Sequence, residues 1–187
     1  MANMPRVAAP GARILIGIDP GTATTGYGVI EKRGDRLSFV DCGVISTPSG
    51  DEAPTRLKAI YDQFNALLDQ YKPEAVATER LFFSNNVTTG IPVSRALGVI
   101  LLAIAQRGLP WTEYTPTQVK SAVVGVGRAE KKQMQFMVTR LLNLREVPKP
   151  DDAADALAIA ICHAHTSRLG ALMRHGVRGE KITSTGE

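Results

Sequence analysis

Five carboxylates stand at the edges of otherwise apolar segments: Asp19, Glu79, Asp151, Asp152 and Asp155. An acid in such a position costs desolvation energy unless a cation compensates its charge. Oxygen ligands in this number, with no His or Cys cluster nearby, favour Mg²⁺ or Mn²⁺ over zinc. The pattern therefore predicts a site for divalent metal ions.

Three of these acids follow Lys149-Pro150 at the start of a helical pattern. Asp152 and Asp155 are three residues apart, and Asp151 and Asp155 are four apart, so either pair projects from one face of a helix at its N-terminus. Spacing alone does not choose between the two pairs. A purely structural alternative is that an Asp after the proline caps the helix.

Positive charge is concentrated in one part of the chain. Residues 120–149 contain seven Lys and Arg against two Glu, whereas the whole chain has a formal charge of only +4. A basic face of this kind commonly contacts a polyanion, although two solvated helix faces would give the same pattern. Together with the acids, it indicates a metal-dependent enzyme that acts on a polyanion.

Hydrophobic patterning predicts the elements that must position these residues. The predicted strands are 13–19, 26–32, 37–46, 75–79 and 111–115, and the predicted helices are 55–71, 93–107, 116–124, 130–143 and 152–165. The first three strands, with a hairpin turn at 33–36, suggest an antiparallel meander. Asp19 and Glu79 each end a strand. The helix at 93–107 is apolar nearly all round, which is typical of a central core helix or of a helix buried in an oligomer.

Composition excludes several classes of protein. The longest apolar run has ten residues (96–105), too short for a membrane span, and the N-terminus does not resemble a secretory signal, so we expect a cytoplasmic protein. The two cysteines, Cys42 and Cys162, are expected to be reduced and inert. One domain is expected over 13–168, with flexible termini at 1–12 and 169–187.

The segment from Gly17 to Gly28 joins a strand, an acid and a hairpin rich in Gly and Thr. Two groups of proteins have such an opening. One is the group of actin, sugar kinases and chaperone ATPases, whose first phosphate loop has the form D-x-G-T-x-x-x-G. The other is the group of ribonuclease H-like nucleases. The chain has no second phosphate loop, and its length also favours the nuclease.

Five segments in order resemble the RuvC family of Holliday junction resolvases, over about residues 13–167. They are 17–21 with 25–28, 79–82 with 85–86, 118–120 with 123–127, 129–131, and 152–158. The resemblance implies an α/β ribonuclease H-like fold, with a central mixed five-stranded sheet flanked by helices. It also implies a homodimer that cuts two opposed strands of a four-way junction with Mg²⁺ or Mn²⁺, two ions per active site, and leaves 5′-phosphate and 3′-hydroxyl ends.

The same resemblance carries site roles onto individual positions. It implies that the catalytic, metal-binding carboxylates are Asp19, Glu79, Asp152 and Asp155; Asp152 is chosen over Asp151 because it begins the matching D-A-A-D. Lysines near the scissile phosphate would be Lys120 and Lys131, whose alternative role is simple phosphate positioning. The DNA-binding residues would be Phe82, which stacks on bases, together with Arg80, Asn85, Lys120, Lys131 and Lys132. Cooperation with the branch-migration complex of RuvA and RuvB is also expected.

Two other functions are compatible with the same acids and the same basic face. The same chemistry would serve a nuclease acting on RNA or on other branched DNA, and a protein that binds junctions without cutting them would share the basic face. His163 and His165 are expected to face solvent, the dimer or DNA rather than form a metal cluster with Cys162.

Overall fold

A mixed β-sheet forms the centre of the computed structural model, which describes residues 11–81 and 87–176, with side chains for 11–81 and 90–167. Within these residues there are five strands: β1 (Arg13–Asp19), β2 (Thr24–Arg33), β3 (Arg36–Ser46), β4 (Ala75–Glu79) and β5 (Trp111–Tyr114). Their order is β3-β2-β1-β4-β5; β1, β2 and β3 are antiparallel, and β4 and β5 run parallel to β1. The predicted meander and mixed sheet are confirmed.

Helices cover both faces of this sheet. On one face lie α1 (Ala53–Tyr71) and α2 (Val87–Gln106), and on the other lie α3 (Pro116–Val124), α4 (Lys131–Leu141) and α5 (Asp151–Gly176). None of the described helices is long and apolar enough to cross a membrane.

Two helices differ from their predicted bounds by more than two residues. Helix α2 begins at Val87 rather than at residue 93 and contains Pro92. The strongly apolar pattern starts only after this proline, which lacks an amide hydrogen for the helix ladder. Helix α5 begins at Asp151 and runs on to Gly176, and the rest of the predicted flexible termini lies outside the described residues.

Alternation along β1 assigns each side chain to one of two cores. Ile14, Ile16 and Ile18 pack with α1 and α2, whereas Leu15 packs on the opposite side with α5. Because Asp19 follows Leu15 by four residues, it points to the α5 side of the sheet. The α2 residues buried against the first core, such as Ile100, show that this helix does pack on the sheet, as one of the two alternatives for it predicts.

Glycines bring α5 unusually close to the sheet. A Cβ atom on Gly17 would lie 2.1 Å from the Ala156 carbonyl oxygen, and one on Gly28 would lie 2.5 Å from the Leu157 nitrogen. Gly17 and Gly28 are paired across β1 and β2. The backbone of α5 therefore packs directly on these two strands. Any residue larger than glycine at positions 17 and 28 would fill the space that the helix occupies.

Candidate active site

Asp19 lies where β1, β2 and α5 meet. It is the last residue of β1 and is paired with Gly26 of β2. A Cβ on Gly26 would lie 2.1 Å from the carbonyl oxygen of Asp152 and 3.1 Å from its Cβ. The glycine thus allows the first turn of α5, with its acids, to approach the end of β1.

Glu79 joins Asp19 at the same edge of the sheet. β1 and β4 are parallel and pair up to Ile18 with Thr78, so the next residues along the two strands are Asp19 and Glu79. Ala75 and Ala77 belong to the core on the α5 side, and alternation therefore directs Glu79 to that side as well. Adjacent parallel strands thus deliver two acids to one point.

A cleft of about 260 Å³ opens beside these strand ends. Four of its lining side chains are charged: Glu79, Lys120, Lys131 and Asp155. The remaining lining residues come from α3, α4 and α5, and they are Pro116, Val119, Met134 and Ala158. A capping box formed by Thr115 and Gln118 fixes the start of α3, the helix that carries Lys120.

Burial and mutual repulsion disfavour ionisation of Glu79 and Asp155, which line the cleft, and of Asp19 at the neighbouring strand end. Burial raises the pKa of Asp19 to about 7, with further contributions from Glu79, Asp155 and Asp152, while Lys131 opposes the rise. The pKa of Glu79 is raised by burial and by Asp155, against the opposing charge of Lys120. Burial also raises the pKa of Asp155. The site therefore has more negative charge than its own lysines neutralise.

The acids are close enough to interact electrostatically but do not form a finished metal cage. Within residues 11–81 and 87–176, no three His, Cys, Asp or Glu side chains are arranged as a group that could hold a metal ion as they stand. Repulsion between like charges and the pull of Lys131 on Asp155 both favour separation. Their side chains would have to turn toward a shared cation.

Lys131 links α4 to the first turn of α5. Its Nζ lies 2.9 Å from Oδ2 of Asp151 and 3.6 Å from Oδ2 of Asp155. The hydrogen bond to Asp151 raises the pKa of Lys131, and the same contact lowers the pKa of Asp151. Asp151 is exposed and paired with a lysine, whereas Asp152 is the neighbour that acts on Asp19.

Two other predicted site residues that the structure describes, Arg80 and Lys132, do not line the cleft. Arg80 follows β4, and its Nε donates to Glu113 Oε2 at 2.9 Å. Lys132 is exposed in the first turn of α4. Phe82 and Asn85 lie outside the described residues.

His163 differs from its prediction. It is buried rather than facing solvent, a dimer or DNA, and its Nδ1 lies 2.9 Å from the Tyr114 hydroxyl. The reason is its position on α5: the side of the helix that carries His163 packs against β5, which a helical pattern alone does not reveal. His165 is exposed, with Nδ1 3.1 Å from the Ala122 carbonyl oxygen.

Two features of the site were not identified from the sequence as parts of it. One is the set of close glycine contacts at Gly17, Gly26 and Gly28, whose signal in the sequence was the glycines on the first two predicted strands. In the sheet, Gly17 faces Gly28 and Gly26 faces Asp19. The other is the contact between Asp151 and Lys131, which joins residues twenty positions apart. Thr25, near the start of β2, also bridges the loop after β1, since its hydroxyl donates to the Gly21 carbonyl oxygen at 2.6 Å.

The chain matches the family model described as crossover junction endodeoxyribonuclease RuvC over residues 15–163. It is 52% identical to the crossover junction endodeoxyribonuclease RuvC of Syntrophomonas wolfei over 169 residues, 89% of this chain and 98% of that protein. It is 56% identical to the protein of the same description from Desulfitobacterium hafniense over 156 residues, 83% of this chain and 94% of that protein.

A solved structure is similar over much of the chain. Thermus thermophilus RuvC in complex with Holliday junction substrate superposes with a TM-score of 0.81 and 37% identity, covering 84% of this chain and 96% of that one. Sequence and fold therefore point to the same group of proteins.

Proposed function

The chain belongs to the RuvC family of crossover junction endodeoxyribonucleases, and we propose that its acidic cleft is the centre that cuts Holliday junction DNA. The ribonuclease H-like fold and the resolvase activity are those of the family, whose nucleases are metal-dependent in general. The observation that carries the assignment of the site is the half-buried Asp19, at the junction of two strand ends and the first turn of α5, with its pKa raised to about 7.

Four carboxylates are proposed to hold Mg²⁺ or Mn²⁺, two ions per site: Asp19, Glu79, Asp152 and Asp155. Their oxygen donors suit these ions, and the raised pKa of Asp19 is what an acidic site has before a cation compensates it. When bound, two such ions activate a water molecule and stabilise the leaving oxygen of a phosphodiester. Because protonated Asp19 is a poor ligand, loading the site at neutral pH would release a proton.

Asp152 rather than Asp151 is proposed as the second ligand from the start of α5. Asp152 contributes to the pKa of Asp19, and the close contact of α5 at Gly26 brings its backbone to the end of β1. Asp151 is instead bound by Lys131 and Gln135.

The lysines of the cleft are proposed to act on the DNA. Lys120 and Lys131 line the same cleft as Glu79 and Asp155, where an ammonium group would neutralise charge that grows on the scissile phosphate. Further DNA contacts are assigned to Phe82, Arg80, Asn85 and Lys132. The concentration of positive charge in residues 120–149 supports this surface as the side that faces DNA.

A homodimer is proposed to form through α2. Ile91 and Leu102 are 45% and 51% exposed, and both lie on the helix side that turns away from the sheet. A two-fold dimer would direct one cleft to each of two opposed strands. The products would be symmetric nicks with 5′-phosphate and 3′-hydroxyl ends, and the protein would work in the cytoplasm with the branch-migration complex of RuvA and RuvB.

Replacement of single acids tests the proposed site. In Asp19→Asn and Glu79→Gln, junction cutting should fall by at least about a hundredfold, the upper end of what loss of a supporting residue costs at a metal site. Junction binding in EDTA should be equal or tighter, because one phosphate-repelling charge is gone. Asp51→Asn, an exposed acid before α1, is the matched control and should cut normally. Cutting by Asp19→Asn at the wild-type rate would rule out the assignment.

A further inference from the structure

Asp151 contacts a lysine at the mouth of the cleft, and each of its two carboxylate oxygens has its own partner. Oδ2 lies 2.9 Å from Lys131 Nζ, and Oδ1 accepts a hydrogen bond of 3.1 Å from Gln135 Nε2. Lys131 and Gln135 are one turn apart on α4, so Asp151, the first residue of α5, binds two side chains of α4. The contact therefore connects the N-terminal turns of two helices.

Lys131 has a second carboxylate within reach, but a less favourable one. Asp155 Oδ2 is 3.6 Å from Nζ, and its side chain is 37% exposed, against 60% for Asp151. The lysine thus lies between an inner acid that lines the cleft and an outer acid at the rim. The outer acid makes the shorter contact.

The inner acid has another proposed use. Asp155 belongs to the set of carboxylates assigned to the metal ions, so its charge would not be available to Lys131 in the loaded enzyme. Asp151 has no such assignment, and Gln135 fixes the orientation of its carboxylate. It is the acid that can continue to hold the ammonium group at the cleft while the inner acids are occupied.

We propose that Asp151 is a positioning residue for cleavage: it holds Lys131 at the rim of the cleft, directed at the scissile phosphate. The inference rests on the proposed role of Lys131 and extends it to a residue that does not itself touch DNA or metal. An Asp151 without this role would act only as an exposed negative charge that weakens DNA binding.

A positioning role and a merely repelling charge predict different cutting rates for variants of Asp151. If Asp151 positions Lys131, Asp151→Asn should bind a junction in EDTA at least as tightly as wild type, yet cut it roughly tenfold more slowly at saturating enzyme. Asp151→Glu should restore much of the rate, because a carboxylate can still reach the lysine. If Asp151 is only a repelling charge, Asp151→Asn should bind more tightly and cut at the wild-type rate or faster.

A double-mutant cycle identifies the partner. Single-turnover cutting is measured for wild type, Asp151→Asn, Lys131→Ala and the double variant, with Asp62→Asn as the control that removes an exposed ion pair with Lys58 on α1. The inference predicts that Asp151→Asn causes no further loss in the Lys131→Ala background and that Asp62→Asn cuts normally. Independent, multiplying losses would overturn it.

The same cycle separates this inference from the proposed site. If Lys131→Ala cuts as well as wild type, the role assigned to Lys131 is wrong and the inference falls with it. If Lys131→Ala is slow while Asp151→Asn is normal, Lys131 keeps its role and only the positioning by Asp151 is overturned.

Discussion

Asp151 and Asp155 lie one helical turn apart on α5, yet their pKa values are shifted in opposite directions. Asp151 is exposed, and its hydrogen bond with Lys131 lowers its pKa. Asp155 lines the cleft, where burial raises its pKa despite the same lysine. Desolvation and charge pairing therefore decide the state of each acid more than its residue type does.

His163 provides a test of burial at the residue scale. Burial, with the positive charges of Arg13 and Lys32 nearby, lowers its pKa from 6.5 to about 4. The unfolded chain therefore takes up a proton on this histidine below about pH 6.5, whereas the folded chain does so only near pH 4. By linkage, His163 should lower the free energy of unfolding by up to about 3 kcal/mol as the pH falls across this window.

The measurement is urea unfolding of wild type and His163→Gln between pH 7.5 and 4.5. The acids with raised pKa values, Asp19 among them, change stability in the opposite direction and are common to both proteins. The difference between the two curves therefore isolates the histidine. Wild type should lose more stability than the variant on acidification, and parallel curves would contradict the assignment.

Residue types, with their positions at two strand ends and one helix start, were enough to predict an acidic site, and the family resemblance supplied the choice of its four members. They were not enough to place His163 or to assign a partner to Asp151. Both depend on which side of α5 meets β5 and α4, and that is decided by packing between elements distant in sequence. The helical spacing left two pairs of acids open; the D-A-A-D match favoured Asp152, and the contact of Asp151 with Lys131 supports that choice.

At the scale of elements, the close approach of α5 to the sheet is what brings the acids together. The backbone of the helix occupies the space that side chains at Gly17, Gly26 and Gly28 would need. Strand bounds were predicted well because alternation and β-branched residues mark them clearly. This helix-to-sheet distance was not predicted, because it depends on which helix lies over the glycines.

Gly17→Ala should force α5 away from β1. The added Cβ would lie 2.1 Å from the Ala156 carbonyl oxygen and 2.5 Å from the Ala160 nitrogen, both backbone atoms that no side-chain rotation can move. We expect a loss of about 1–3 kcal/mol in unfolding free energy, as for other overpacked sites, and slower cutting in the fraction that remains folded.

Gly50→Ala is the matched control, because nothing lies within 4 Å of its added Cβ. Thermal unfolding and junction cutting are measured for both variants. Equal stability of Gly17→Ala and Gly50→Ala would contradict the account of how α5 is seated.

At the scale of the whole molecule, the helix α2 has two sides with different roles. Ile100, Ala103 and Ile104 are buried against the sheet, while Leu102 stays half-exposed. The sequence predicted either a core helix or an oligomer interface, because the helix is apolar nearly all round. The fold assigns the first role to one side, and the proposed dimer uses the other.

Leu102→Asp should convert the proposed dimer into monomers, because it places a charge in the middle of the proposed apolar interface. Leu102 suits this test since its half-exposed side chain does not fill the core. Sedimentation velocity would measure the mass in solution, with Val147→Asp, an exposed apolar residue away from α2, as control. A folded Leu102→Asp variant that remains fully dimeric would exclude this side of α2 as the interface.

We propose that the acidic cleft cuts four-way DNA with divalent metal ions. The most direct measurement is incubation of the purified protein with end-labelled four-way junctions and matched linear duplex, in Mg²⁺, Mn²⁺ or EDTA, followed by denaturing electrophoresis. We predict paired, symmetric nicks in the junction that require metal, with the duplex left intact. Junction binding without nicks in either metal would contradict the account and would make the acids a structural feature.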